Sequence, residues 1–281
     1  MKKNKLKIEI ADKAGFCYGV KKAVEHAEKA PETRQRPIYT VGPLMHNKIE
    51  VNRLADMGIK TIDNPESVRK GTLIIRTHGL PKELMQKIKK NTVELIDATC
   101  PFVKRVQNLI EKLTQEGYNI VIIGEKDHPE TIGLVSYASK QVKVVNSVSG
   151  VKKLKLPEPV AVVSQTTQSA EKFDTLVREL SKKYKSIKIF NTICSASNER
   201  QEEAANLAKK VDVMFVIGGK NSGNTTRLKD ICSKYVATYH VESEKEITKK
   251  HLKGVKVAGI TAGASTPTWL IKSIIKYMQQ I

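Results

Sequence analysis

The sequence predicts an α/β protein of three similar αβ lobes, each with a small parallel sheet, arranged around a pseudo-threefold axis. Three observations predict it. Short β-branched runs alternate with helical patterns, three cysteines each stand just after such a run and just before a helix, and the whole arrangement recurs threefold along the 281 residues. Parallel strands need right-handed helical crossovers, which place every strand-to-helix loop at the carboxyl end of its sheet. Length alone, at roughly 150 residues per domain, suggests about two domains. The repeat instead divides the chain into lobes 1–92, 93–186 and 187–281, with one cysteine of each expected at the centre.

The elements follow in order. The first kind of segment ends in a cysteine: Lys7-Ile-Glu-Ile leads to Cys17 with a helix from Val20, Val93-Glu-Leu-Ile-Asp-Ala-Thr-Cys100 leads to a helix from Phe102, and Ile187-Lys-Ile-Phe-Asn-Thr-Ile-Cys194 to one from Asn198. The second kind is a strand ending in glycine, Ile38–Gly42, Ile120–Gly124 and Val213–Gly218. It leads to His46, His128 and Ser222, which lie 29, 28 and 28 residues beyond the cysteines. The third kind is Leu73–His78, Val160–Thr166 and Val257–Ser265, in a looser register. Between strands the pattern is helical: Val103, Val106, Leu109, Ile110 and Leu113 fall on one helix face.

Composition narrows the class. The chain is 40 % hydrophobic, 28 % charged and 5 % aromatic, an ordinary globular balance that sets disorder aside. The basic start Met1–Lys7 is not followed by an apolar core of about 7–15 residues, and no run approaches the roughly 18 apolar residues of a membrane span. A soluble cytoplasmic protein without a membrane partner is expected, with its cysteines as thiols or metal ligands. Lys and Arg number 49 against 29 Asp and Glu, so the formal charge is +20. Nucleic acid, anionic lipid, an acidic protein and a phosphorylated metabolite all fit that charge. The lysines are dispersed and aromatics for base stacking are few, which argues against nucleic acid.

The repeat carries the chemistry. A single cysteine is more often a small buried hydrophobe, but recurrence of Cys17, Cys100 and Cys194 at one structural position points to shared metal ligation. Three thiolates without an equivalent fourth ligand suggest an iron-sulfur cluster with one open iron. Zinc is the alternative. Cys232, inside a helical pattern, has no counterpart and reads as packing. His46, His78 and His128, with Ser222, Asn224 and Ser265, occupy loops where helix N-termini and side-chain donors suit a diphosphate. Glu130 lies two residues past His128, where burial and neighbouring negative charge are expected to hold its proton, and Thr166 is placed to orient it. His26, His240 and His251 read as structural or exposed. Gly218-Gly-Lys-Asn-Ser-Gly-Asn224 lacks the spacing of a nucleotide phosphate loop.

At these residues the sequence resembles the 4-hydroxy-3-methylbut-2-enyl diphosphate reductases, the last enzymes of the methylerythritol phosphate route to isoprenoids. The motifs are Gly15-Phe-Cys-Tyr-Gly-Val20, Gly42-Pro-Leu-Met-His-Asn47, Arg76-Thr-His-Gly79, Asp97-Ala-Thr-Cys-Pro101, His128-Pro-Glu130, Ser164-Gln-Thr-Thr167, Asn191-Thr-Ile-Cys194, Lys220-Asn-Ser-Gly-Asn224 and Thr261-Ala-Gly-Ala-Ser265. The resemblance implies a cloverleaf of three lobes holding one [4Fe-4S] cluster through Cys17, Cys100 and Cys194. It implies reductive removal of the substrate hydroxyl as water, giving isopentenyl and dimethylallyl diphosphate. The diphosphate would be held by His46, His78, His128, Thr166, Ser222, Gly223, Asn224 and Ser265, and Glu130 would deliver a proton with Thr166 beside it. Neighbouring Thr167 leaves that assignment open. Gly223 stands where many members carry a second serine, so only its backbone N–H remains for phosphate. The basic surface would suit an acidic electron donor, ferredoxin or flavodoxin.

Overall fold

The computed structural model of the chain describes residues 6–90 and 93–281; the basic residues 1–5 and the expected lobe boundary at 92 lie outside the described residues. In chain order, β1 (Lys7–Ile10) is followed by α1 (Tyr18–Thr33), β2 (Ile38–Val41), α2 (Lys48–Asp56), β3 (Ile59–Ile62), β4 (Thr72–Ile75), α3 (Lys82–Lys89) and β5 (Glu94–Asp97). Next come α4 (Pro101–Gln115), β6 (Asn119–Ile123), α5 (Pro129–Val135), β7 (Val142–Val145), α6 (Val148–Lys153), β8 (Val160–Ser164), α7 (Ala170–Lys183) and β9 (Ile187–Ile189). The chain closes with α8 (Ser195–Ala208), β10 (Val213–Ile217), α9 (Gly223–Cys232), β11 (Thr238–Val241), β12 (Val257–Ala262) and α10 (Thr268–Gln280).

The fold is α/β with three four-stranded sheets, ordered β1-β12-β10-β11, β3-β2-β4-β5 and β7-β6-β8-β9, and every pairing is parallel. Two features differ from the sequence expectation. Each sheet has one more strand than the repeat showed, namely β3, β7 and β11. All three are four-residue edge strands with only part of each chain buried, so their apolar signal is weak. The strand before each cysteine also completes the sheet of the preceding chain segment. β5 pairs with β4, β9 pairs with β8, and β1 pairs with β12 across the whole chain, Lys7 opposite Val257. The sheets therefore do not follow boundaries at 92/93 and 186/187, because pairing partners are set by hydrogen bonding between distant residues.

The described residues gather into two compact units. The first holds those among 1–21 together with 45–53 and 195–281, hence the sheet β1-β12-β10-β11; the second holds the other two sheets. Inner strands read as continuous apolar runs because helices cover both sheet faces. In β6 and β8, Val121, Ile123, Val160 and Val162 pack toward Phe173, Leu176 and Leu180 of α7, while Ile120, Ile122, Ala161 and Val163 pack toward Val106, Ile110 and Leu113 of α4. The period-two alternation of a strand divides these residues between the faces. In the first unit Phe215 and Ile260 face Leu270 and Ile274 of α10, and Met214 and Val216 face Ala204 of α8 and Leu228 of α9. Each fully buried Val, Leu, Ile, Phe or Met side chain among them contributes about 1.5–3 kcal/mol. No helix among the described residues is long and apolar enough to cross a membrane.

Candidate active site

All three recurring cysteines stand at the carboxyl edge of a sheet and share one backbone contact. Cys17 N–H donates to the carbonyl of Ala264 at 3.1 Å, Cys100 N–H to Thr77 at 2.9 Å, and Cys194 N–H to Thr166 at 2.9 Å. Each acceptor lies in the loop after the neighbouring inner strand, β12, β4 or β8, so the third kind of segment carries the first. The thiols are partly exposed and none is in a disulfide. Cys232 differs in its surroundings. It is fully buried among Ala204, Leu228 and Val216, and burial pushes its thiol up to about 12.

The loops before two of the cysteines are shaped locally. The Asp97 carboxylate accepts from Thr99 N–H at 3.1 Å and the Asn191 side chain from Ile193 N–H at 3.1 Å, the side-chain turns that Asp and Asn favour. Burial would raise the Asp97 carboxyl, but hydrogen bonds from Lys104 and Thr99 outweigh it and hold the group below its usual value of 3.8.

In the second unit the acid-base residues form a connected series. His78 and His128 meet edge to face with ring centroids 5.3 Å apart. His128 caps α5, its Nδ1 accepting from Glu130 N–H at 3.2 Å. That bond places the proton of the neutral imidazole on Nε2, as a donor. Glu130 is buried, and both of its carboxylate oxygens are held by Thr166: N–H to Oε1 at 2.6 Å and Oγ1–H to Oε2 at 2.8 Å. The choice between Thr166 and Thr167 is thereby settled at the level of contact, since Thr167 Oγ1 accepts from Gln165 Nε2 instead. Through backbone and side chain, Cys100, Thr77, His78, His128, Glu130, Thr166 and Cys194 form a continuous series.

In the first unit the edge carries hydroxyls and amides. Ser222 caps α9, its Oγ accepting from Thr225 N–H at 3.3 Å, and Gly223 is the first helical residue, with its N–H in the donor-rich first turn. The Asn224 side chain is 6 % exposed, and neither its Oδ1 nor its Nδ2 meets a hydrogen-bond partner among the described residues. Ser265 Oγ donates to the carbonyl of His46 at 3.0 Å. Gly219 passes the same carbonyl so closely that a Cβ would sit 2.6 Å from it, which leaves room only for glycine. Sequence reasoning left His240 as structural or exposed and passed over Glu242, and both hold this loop. His240 Nε2 lies 2.9 Å from the Gly218 carbonyl, and Glu242 accepts from Lys220 N–H at 2.9 Å. They come from or just after β11, the strand the repeat did not reveal.

A family model described as LytB protein matches residues 8–279, nearly the whole chain. The chain belongs to the LytB family. A 4-hydroxy-3-methylbut-2-enyl diphosphate reductase of Campylobacter hominis is 47 % identical over 274 residues, covering 96 % of this chain and 98 % of the relative. One of Geobacter sulfurreducens is 44 % identical over 276 residues, covering 98 % of both. Among solved structures, one titled (E)-4-hydroxy-3-methyl-but-2-enyl diphosphate reductase, the terminal enzyme of the non-mevalonate pathway, shares 44 % identity with a TM-score of 0.72, covering 98 % of this chain and 100 % of that one. The E-1-hydroxy-2-methyl-but-2-enyl-4-diphosphate reductase from Plasmodium falciparum shares 29 % identity with a TM-score of 0.92, covering 97 % of this chain and 87 % of that one.

For a LytB protein, the donor set fits thiolate ligation of iron. Cys17, Cys100 and Cys194 are accessible thiols on equivalent loops, whereas a buried thiol such as Cys232, held protonated, is a poor ligand. The Asn224 carboxamide, buried without a partner among the described residues, fits an edge built to receive a polar ligand.

Proposed function

We propose that this chain is a 4-hydroxy-3-methylbut-2-enyl diphosphate reductase that replaces the substrate's allylic hydroxyl with hydrogen. Two electrons and two protons are consumed, the C–O bond breaks, the hydroxyl leaves as water, and isopentenyl or dimethylallyl diphosphate results. Cys17, Cys100 and Cys194 would hold one [4Fe-4S] cluster, which when bound supplies electrons one at a time and a Lewis-acidic iron.

The remaining work falls to the chain's own residues. His46, His78 and His128 offer imidazole donors to the diphosphate, Ser222 and Ser265 offer hydroxyls, Asn224 its amide and Gly223 its N–H at the positive end of α9. Ser265 gives its proton to the His46 carbonyl, so binding phosphate requires that hydroxyl to turn. Glu130 carries the proton for the leaving hydroxyl. Thr166 keeps the carboxyl aimed, and Thr166 also accepts the Cys194 N–H, so acid and ligand loop share one support. That shared support is the observation that carries the reading. An acidic carrier, ferredoxin or flavodoxin, would bring the electrons to a +20 protein in the cytoplasm.

The test is anaerobic purification, iron and sulfide analysis, and turnover with 4-hydroxy-3-methylbut-2-enyl diphosphate and a reduced viologen. Substrate reduction by protein with about four irons per chain is expected. Protein with a full cluster that leaves the substrate untouched, or that holds zinc in place of iron, would overturn the reading.

A further inference from the structure

The three cysteine loops are not fixed alike. Cys100 stands three residues beyond its strand and Cys194 five, and each is preceded by an Asp or Asn side-chain turn. Cys17 stands seven residues beyond β1, and its loop turns through Gly15 at a φ of 104°, a region that L side chains rarely adopt. A longer, glycine-containing loop has more ways to be disordered, so fixing it costs more conformational entropy.

The structure supplies that constraint from α8, the helix that follows Cys194 in sequence. Arg200 is 3 % exposed, and its guanidinium donates to three carbonyls: Nε to Lys13 and Nη2 to Gly15, both at 2.9 Å, and Nη1 to Ala196 in its own first turn at 3.1 Å. One turn on, the Glu203 carboxylate accepts the N–H groups of Asp12 at 2.6 Å and Lys13 at 2.8 Å. Donor and acceptor thus grip both polarities of the backbone at 12–15, and the planar guanidinium fork fixes direction as well as distance. Burying a guanidinium is costly unless its N–H groups meet acceptors, and these three carbonyls supply them.

We infer that Arg200 and Glu203 are positioning residues for Cys17, fixing its loop on α8 so that the thiol is presented in one place before iron arrives. The inference rests on the proposed role of Cys17 as a cluster ligand. Both act through the backbone at 12–15. In sequence both look like solvated positions of a helix.

The test uses full-length protein freed of iron. Alkylation of Cys17, Cys100 and Cys194 by iodoacetamide under native conditions is followed by peptide mass spectrometry, with thermal melting alongside. In Arg200→Gln, Cys17 is expected to react about tenfold faster while Cys100 and Cys194 change by less than about twofold, the signature of one loop opening locally. Arg200→Lys, which keeps charge but not the fork, should recover part of the protection. If Arg200→Gln does not fold, Glu203→Ala, which leaves Arg200 in place, is read the same way. In reconstituted protein, iron release to a chelator should quicken in step with Cys17 reactivity. An unchanged Cys17 rate in a folded variant, or equal acceleration at all three cysteines, overturns the inference. Wild-type protein that binds no cluster or reduces no substrate would instead defeat the proposed function, and the alkylation pattern would still judge the loop.

Discussion

The sheet edges of the two units are built on one plan and furnished differently. In the second unit, Glu130 has both oxygens occupied by Thr166 and His128 is tied to the start of the same helix. In the first unit, the buried Asn224 amide has no partner among the described residues. A group that must deliver a proton in a fixed direction benefits from being held by its neighbours before substrate arrives. A group that must recognise a ligand keeps its hydrogen-bonding capacity for that ligand, at a cost to the empty protein of about 1–3 kcal/mol. On the proposed roles, the two edges would illustrate preorganisation and reserved capacity.

Substitutions test how far that contrast holds. The largest effect should ignore it: Cys17→Ala, Cys100→Ala and Cys194→Ala are each expected to abolish turnover and lower bound iron, measured by iron and sulfide analysis, although they lie on different edges. Next, Glu130→Gln should lower kcat about 10²–10⁴-fold with little change in KM, the mark of lost proton transfer. A KM effect of that size would erase the distinction between the edges. Asn224→Leu should do the reverse. It is expected to raise KM about tenfold while thermal stability stays level or rises, because an unsatisfied buried amide is removed. A fall in the melting temperature would show that the amide is structural.

Smaller effects sharpen the contrast between the proposed ligand cysteines and the packing one. Cys232→Ala should keep full iron content and lose about 1 kcal/mol of stability in denaturant unfolding. Its thiol, pushed up to about 12, should resist alkylation in native protein at neutral pH. The smallest effect concerns Asp97. Its carboxyl titrates below the usual value of 3.8, so its contribution is full above that pH and is lost as pH falls through the lowered value. Denaturant unfolding of iron-free Asp97→Asn should therefore lose less stability than the wild type as pH falls below 3.8, and an equal loss would show that the Asp97 carboxylate contributes nothing.

Much of this was legible in the chain. Val121, Ile122, Val162, Val163, Val216 and Ile217 lie in inner strands whose faces are both covered, so their apolar runs announce themselves. The cysteines, His46, His128 and Ser222 were found by spacing, because a repeated fold repeats its loops. The outer strands Ile59–Ile62, Val142–Val145 and Thr238–Val241 were not found, since a half-exposed edge strand of four residues carries little pattern. Arg200 and Glu203 gave no signal either, for a charged residue on a helix looks the same whether it faces water or a backbone carbonyl.

By itself, then, the sequence determined the alternation of strands and helices, the threefold recurrence and the candidate ligands, all of which depend on residues near one another in the chain. Tertiary structure decided which sheet each cysteine strand joins, as when Lys7 pairs with Val257. It also decided that Thr166 and not Thr167 meets Glu130, and that α8 grips the loop before Cys17. Those outcomes depend on hydrogen bonds and side-chain directions between residues far apart in sequence, where local propensity carries no information and only the packed chain brings donor to acceptor.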